Sequence, residues 1–448
     1  MIGCNNSVWT RIKAASPMCI QVKCVCHSLA LCIQNAAGKL PSNIAFLLCE
    51  IPAWFSHSDL RCQNFKSVFN TINPDEDTMP GKTTPLPFDK LSSTRWLVRG
   101  KVMNNILANW YELKAYFELS DDPKRYETRY KARLVKEMMQ DHKNYLYFQF
   151  AVPIVQEFET VNSLFQHTNI DPTILDTELY THYESLHDRH YHPDGTPKVL
   201  DDVDFGCKFT QEVQRYVSQH SENQQILRDV EDLKRRCKDV LEESLSQLKL
   251  RMPASRNTFQ NLAKLSPTVI LNQATRPKFH ELPFLHIIAN QLLSKTEEQY
   301  RKIVFVNWTE KPAFSKHGLV LETEKFWVGV RQNESFRDLA NYVLTCLTTP
   351  VSNAVVERMF SLVINIKTKP RNPLQLSTLE AIVRIRSDMI VANKCCREFI
   401  VTKSMIQLFD SKTLYASTPK ASTSKATSTD IGVDQREEGE KDVLSLFL

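Results

Sequence analysis

Glycine is the residue this chain does without: it occurs 10 times in 448 positions. Tight turns and phosphate-cradling loops draw on glycine's access to positive φ, so both are poorly supplied and long helices become the expectation. The apolar pattern agrees. Over residues 224–250, Ile226, Val230, Leu233, Cys237, Leu241, Leu245 and Leu248 recur at a helical period with charges opposite. Residues 97–118 repeat this with Leu97, Met103, Ile106, Leu107, Trp110, Leu113 and Phe117. The spacing predicts further helices over 5–15, 28–37, 44–55, 335–347, 350–366 and 376–394. The last of these opens Ser377-Thr378-Leu379-Glu380, the pattern of a capping box. One strand is expected at 20–25, where IQVKCV alternates, and polar breaks at 71–90 and 186–205.

The length suggests two to three domains. A hydrophobic content of 42% with 24% charged residues places the chain among soluble globular proteins. A net charge of +5 leans weakly toward anionic partners, and a solvated surface explains it equally well. No apolar run approaches the roughly 18 residues of a membrane span, so no membrane partner is expected. Seven of the 12 cysteines fall before residue 63, with no apolar, basic-led leader in residues 1–19. Close thiols such as Cys24 and Cys26, or Cys395 and Cys396, do not resemble a secreted disulfide framework; a reducing compartment, cytosol or nucleus, is expected. Residues 416–442, Ser/Thr/Lys-rich and then acidic, bury too little apolar area to offset their ordering entropy and are expected to be disordered. No internal repeat, phosphate loop, nucleophile elbow or zinc-protease motif is present in the sequence.

Two clusters hold metal-ligand residue types. Cys24-x-Cys26-His27 is a half-site at most, because Cys4, Cys19, Cys32, Cys49, His57 and Cys62 supply no second C-x-x-C or H-x-x-x-H pair; packing is the expected role. His182, His187, Asp188, His190 and His192 run into Pro193-Asp194-Gly195, which interrupts any shared face, and a polar loop is expected there. No metal site and no cofactor are expected.

Three distant stretches occur in the order and spacing of one family. Val22-Lys23-Cys24-Val25-Cys26-His27-Ser28-Leu29-Ala30-Leu31 resembles a strand-then-helix segment with a C-x-x-H motif. Ser93-Thr94-Arg95-Trp96 is similar to an Arg-Trp motif opening a helical insertion. Phe326-Trp327, then Leu339-Ala340, then Thr349-Pro350-Val351-Ser352-Asn353-Ala354-Val355-Val356-Glu357-Arg358-Met359-Phe360-Ser361 resembles a carboxy-terminal dimerisation block. The family is the hAT superfamily of transposases, and the three stretches together span most of residues 3–395.

The resemblance implies a ribonuclease-H-like α/β domain split by a long all-helical insertion, preceded by a BED-type zinc finger. It also implies two aspartates and one late glutamate holding two divalent cations, a role suited to oxygen ligands on Mg²⁺. Glu357 matches that glutamate. The second aspartate would stand just ahead of the segment resembling Gly3-Cys4-Asn5-Asn6-Ser7-Val8-Trp9, so an amino-terminally truncated, non-catalytic chain is expected, with Glu357 a solvated residue on an amphipathic helix. The alternative is a fragment of an active transposase whose aspartates lie upstream.

The expected fold is thus mainly α: a truncated ribonuclease-H-like remnant (1–70), a linker (71–90), a helical insertion (91–300), carboxy-terminal helices with the dimerisation block (301–410), and a tail (411–448). Arg95 and Trp96 are the candidate nucleic-acid contacts by resemblance. Residues 82–136 carry 12 Lys/Arg against 6 Asp/Glu, and an aromatic there suits base stacking, while a buried core role for Trp96 stays open. Lys367, Lys369, Arg371, Arg384 and Arg386 are either phosphate contacts or a solvated face. The apolar run Val351, Val355, Met359, Leu362 and Val363, then Leu376, Leu379, Ile382, Val383 and Ile385, exceeds what two short helices hide against each other. Self-association is expected through Val355, Met359, Phe360, Leu376, Leu379 and Val383, as a homodimer or with related transposase-like proteins, in the nucleus, with weak DNA association.

Overall fold

A computed structural model describes residues 7–19, 21–56, 58–74, 84–88, 99–119, 126–166, 170–220, 222–308, 323–368 and 374–407. The helices are α1 (Val8–Ala15), α2 (Val25–Ala37), α3 (Ser42–Ser56), α4 (Asp59–Ile72), α5 (Arg99–Ala108), α6 (Trp110–Leu119), α7 (Tyr126–Gln140), α8 (His142–Gln166), α9 (Leu175–His190), α10 (Cys207–Gln219), α11 (Gln224–Arg251), α12 (Pro253–Ala263), α13 (Pro267–Ile270), α14 (Asn290–Ile303), α15 (Thr323–Arg331), α16 (Arg337–Leu347), α17 (Ala354–Ile366), α18 (Leu376–Val391) and α19 (Lys403–Gln407). The mainly helical expectation holds. Among the described residues there is no strand, and one isolated bridge pairs Tyr191 with Pro197.

The strand expected at 20–25 does not form. Residues 21–24 carry no regular element and α2 begins at Val25. A lone strand would leave its amides and carbonyls without ladder partners. Helical spacing instead sends Val25, Leu29, Cys32, Ile33 and Ala36 inward, each at 2% exposure or less. Period 3.6 outweighs six residues of alternation.

The chain divides into two compact units: Val22–Val356, and Met1–Gln21 with Glu357–Leu448. In the larger unit α8 is buried nearly all round, from Asn144 to Phe165, as only a central helix can be. Helices α2, α5, α9 and α10 pack on it, and α11 lies against α2, α8 and α9. The α11 stripe read from sequence points inward as expected, with Val230, Leu233, Cys237, Leu241, Leu245 and Leu248 buried. Helices α3, α4 and α6 bring Trp54, Phe55, Phe65, Tyr116 and Phe117 into one aromatic group.

Part of the 71–90 break belongs to that group. Residues 84–88 are non-helical, yet Phe88 stacks on Phe55 at 5.0 Å, and the Asn105 and Asn109 amides donate to the Pro87 and Leu86 carbonyls at 2.7 and 3.2 Å. Asn109 also divides the helix expected over 97–118 into α5 and α6, because its side chain bonds the Asn105 carbonyl and this loop.

Gly100 in the first turn of α5 is a close-approach position. Glu159 of α8 accepts its amide, and burial pushes the Glu159 carboxyl up to about 7 despite that bond. A Cβ on Gly100 would lie 2.3 Å from Glu159 Oε1, so an alanine displaces the carboxylate from its helix-end amide. Gly100→Ala is expected to lower stability by about 1–2 kcal/mol, the loss of a helix cap, despite alanine's better helix propensity. Equal urea midpoints for the two proteins would contradict this.

The smaller unit is built differently. Ser7 caps α1 through a reciprocal pair of bonds with Thr10, and α18 touches α17 where Ser387 Oγ reaches Met359 Sδ at 3.5 Å. Yet among its described residues Ile366 alone is buried. The capping box expected at Ser377–Glu380 is absent. Helix α18 starts two residues earlier than that box requires, with Gln375 at the cap and no side-chain bond, and Glu380 pairs with Arg384 at 2.6 Å instead. With Leu376 inside the helix, Ser377 no longer faces the free amides. The helix stops at Val391, ahead of the expected 394, and Asn393 adopts φ 51°, a left-handed residue closing the turn.

Candidate self-association surface

The Phe326–Ser361 stretch singled out in the sequence splits into a buried half and an exposed half. Phe326 and Trp327 on α15 and Leu339 and Ala340 on α16 are wholly buried in the larger unit. The Trp327 indole donates to the Leu265 carbonyl at 2.9 Å, and Trp308 meets Phe326 and Phe336 edge-on. The turn that follows is tied down as well: Ser352 Oγ donates to the Phe165 carbonyl at 2.6 Å. These residues are structural.

Beyond that turn burial ends. Val355 and Val356, the last residues of the larger unit, are each 52% exposed. In the smaller unit Phe360 is 50%, Leu376 79% and Val391 84% exposed, joined by Ile364, Ile385 and Ile390. Val356, Phe360 and Ile364 follow one another at i, i+4 and i+8, so they form one row along α17. Met359, Leu362 and Val363 on α17, with Leu379, Ile382 and Val383 on α18, are half-buried. Of the six self-association residues named from sequence, Val355, Phe360 and Leu376 are therefore open, and Met359, Leu379 and Val383 are partly covered. Sequence reasoning passed over Val356, Ile364, Ile390 and Val391; the i, i+4 row was the available signal for the first two.

Exposed apolar residues on this scale are uncommon on a monomer surface. An α-helix without a buried stripe has little beyond its own propensity to hold it, and α18 has no buried residue. The arrangement can do one thing chemically, which is to bury these side chains against another surface.

Glu357 lies exposed on α17 in the smaller unit, its carbonyl accepting from Ser361 Oγ at 3.0 Å. Among the described residues no three His, Cys, Asp or Glu side chains stand close enough to hold a metal ion. Lys367, Arg384 and Arg386 are exposed, while Lys369 and Arg371 lie outside the described residues. So do Arg95 and Trp96, the candidate nucleic-acid contacts, and the 416–442 tail. The histidine group is not a loop. His182, His187 and His190 ride on α9, where Leu175, Leu179, His182, Leu186 and His190 form its buried stripe and carry the helix on to residue 190. The break begins only at Tyr191, which stacks on His187 at 4.6 Å. Among the described residues no helix is long and apolar enough to cross a membrane.

Residues 306–389 match the profile of the hAT family C-terminal dimerisation region, a match that runs from Val306 through α15, α16 and α17 to Met389 of α18. No curated protein matches the chain. With the dimerisation profile lying across the exposed apolar helices, residues 306–389 are similar to an hAT-type dimerisation region, which supports a transposase-related protein.

Proposed function

We propose that this chain is a transposase-derived, non-catalytic protein of the nucleus that self-associates through α17 and α18 and associates weakly with DNA. One observation carries the reading: residues 357–389 lie both in the unit whose described residues hold a single buried side chain, Ile366, and in the stretch matching a dimerisation region. Ordering a residue costs about 1–2 kcal/mol, which so small a core does not offset; a second copy supplies the missing contacts. A twofold pairing presents the same patch from both chains, so each apolar residue counts twice.

Size-exclusion chromatography with light scattering on the full chain tests it. The wild type is expected to run as a dimer, and Phe360→Asp with Leu376→Asp to weaken self-association at least about 30-fold, roughly 2 kcal/mol. Both side chains are half exposed or more, so the pair of changes leaves the fold in place. A wild-type monomer at high micromolar concentration would remove the proposal.

The non-catalytic reading rests on the resemblance, in which Glu357 is the one residue matched to the family's metal carboxylates. Strand transfer by the purified chain with Mg²⁺ or Mn²⁺ would overturn it. On this reading residues 1–70 and 301–410 descend from a ribonuclease-H-like domain and 91–300 from its helical insertion. The DNA arm rests on Arg95 and Trp96 and on the mildly basic 82–136 stretch. Binding indifferent both to salt and to Trp96→Ala would exclude it.

A further inference from the structure

Three segments distant in sequence converge at the start of α2, all within the larger unit. Cys24 is the cap residue of that helix, and its carbonyl accepts the Ser28 amide at 3.1 Å. Its sulfur receives the Asn353 amide at 3.4 Å, 329 positions away. The Cys26 thiol is hydrogen-bonded to the same sulfur, and Cys26 Sγ also lies 3.9 Å from the Asn162 carbonyl of α8. Both cysteines are only half-buried, so a small reagent reaches them.

This environment favours one ionisation state. The hydrogen bond from Cys26 is the main cause that pulls the Cys24 thiol down to about 6; burial opposes it, and the amides of Asn353, His27 and Cys26 add to it. Other thiols of the same unit are driven the opposite way. Burial pushes Cys32 and Cys346 up to about 12 and Cys237 well above the usual range. A thiolate is the nucleophile and a buried thiol is inert. Among the described residues no third His, Cys, Asp or Glu side chain joins the pair at metal-holding distance.

We propose that Cys24 and Cys26 form a peroxide-reactive dithiol, in which Cys24 is the attacking sulfur and Cys26 the resolving one. In the first step Cys24 S⁻ attacks one oxygen of a hydroperoxide. The O–O bond breaks, the leaving oxygen takes a proton from solvent, and Cys24 becomes a sulfenic acid. In the second step Cys26 loses its proton and attacks the Cys24 sulfur. The S–O bond breaks, hydroxide leaves with that proton as water, and a Cys24–Cys26 disulfide remains. Two thiols give up two electrons and the hydroperoxide accepts them. The disulfide removes the negative sulfur that holds the Asn353 amide, so oxidation loosens the turn leading into α17. This chemistry is independent of the transposase-derived reading above.

The test uses the full chain and hydrogen peroxide, with peptide mapping by mass spectrometry. The tryptic peptide 24–39 is expected to lose the mass of two hydrogens before any other cysteine peptide changes. In Cys26→Ser the reaction should stop at a Cys24 sulfenic acid that dimedone traps. Iodoacetamide labelling of Cys24 in the folded chain should reach half its plateau rate near pH 6 and run several-fold faster at pH 7 than in urea, where the site is dissolved. Cys49 and Cys62, both exposed, serve as internal references. The proposal is overturned if Cys24 reacts no faster than these two, or if peroxide carries it to a sulfinic acid with no disulfide in the wild type.

Discussion

Truncating Trp327 to alanine is expected to cost the larger unit about 3–5 kcal/mol, the range for deleting a fully buried tryptophan. Its side chain is 0% exposed and meets Phe326 edge-on at 5.3 Å. It also supplies the donor for the Leu265 carbonyl at 2.9 Å, fastening α15 to the chain just ahead of α13. The alanine loses both the apolar area and that bond. Trp327→Phe separates the two, since it keeps most of the ring volume and leaves the carbonyl unpaired, for a loss of about 1–2 kcal/mol. With roughly 2 cal/mol/K per residue of unfolding entropy, a 4 kcal/mol loss lowers Tm by roughly 5 °C in a unit of this size. An unchanged denaturation midpoint in Trp327→Ala would mean that α15 does not pack as described.

The second large effect is one of pH. His182 is 5% exposed on α9, set edge-on to Phe158 at 4.5 Å, and its Nε2 has no hydrogen-bond partner among the described residues. Burial, with a smaller contribution from the Arg189 charge, pulls its imidazole down to about 4. The folded histidine therefore stays neutral while the unfolded one takes up a proton as pH falls through its ordinary value of 6.5. Stability from this residue is complete above that value and is lost as the pH drops toward 4, in all about 3 kcal/mol. His182→Leu removes the protonation and the unpaired nitrogen together. The variant is expected to match or exceed the wild type at pH 7.5 and to be more stable by about 2–3 kcal/mol at pH 4.5. Parallel stability-against-pH curves for the two proteins would refute this.

Both effects arise on helices that the sequence revealed unevenly. The α11 stripe and the α2 and α3 segments were legible because long runs of apolar residues at one period leave a single way to bury them. The Cys24–Cys26 motif was visible as a half-site, but its chemistry was not. The Asn353 amide that joins Cys24 lies 329 positions on, and no local pattern announces it. The same holds for His182. A histidine run beside Pro193-Asp194-Gly195 looks polar from sequence, and only the packing of α9 on α8 places the ring against Phe158. The capping box failed because α18 begins two residues sooner than a Ser377 cap requires, which places Ser377 inside its first turn.

By itself, the sequence determined that this protein is helical, because glycine is scarce and apolar residues recur at 3.6, and that residues 306–389 carry a dimerisation region. Tertiary structure decided which parts of that region are buried. Phe326, Trp327, Leu339 and Ala340 go into a core, while Phe360, Leu376 and Val391 stay open. The apolar pattern is the same in both halves. Periodicity records that a face is apolar, but whether it is covered depends on which other helices the chain has in reach.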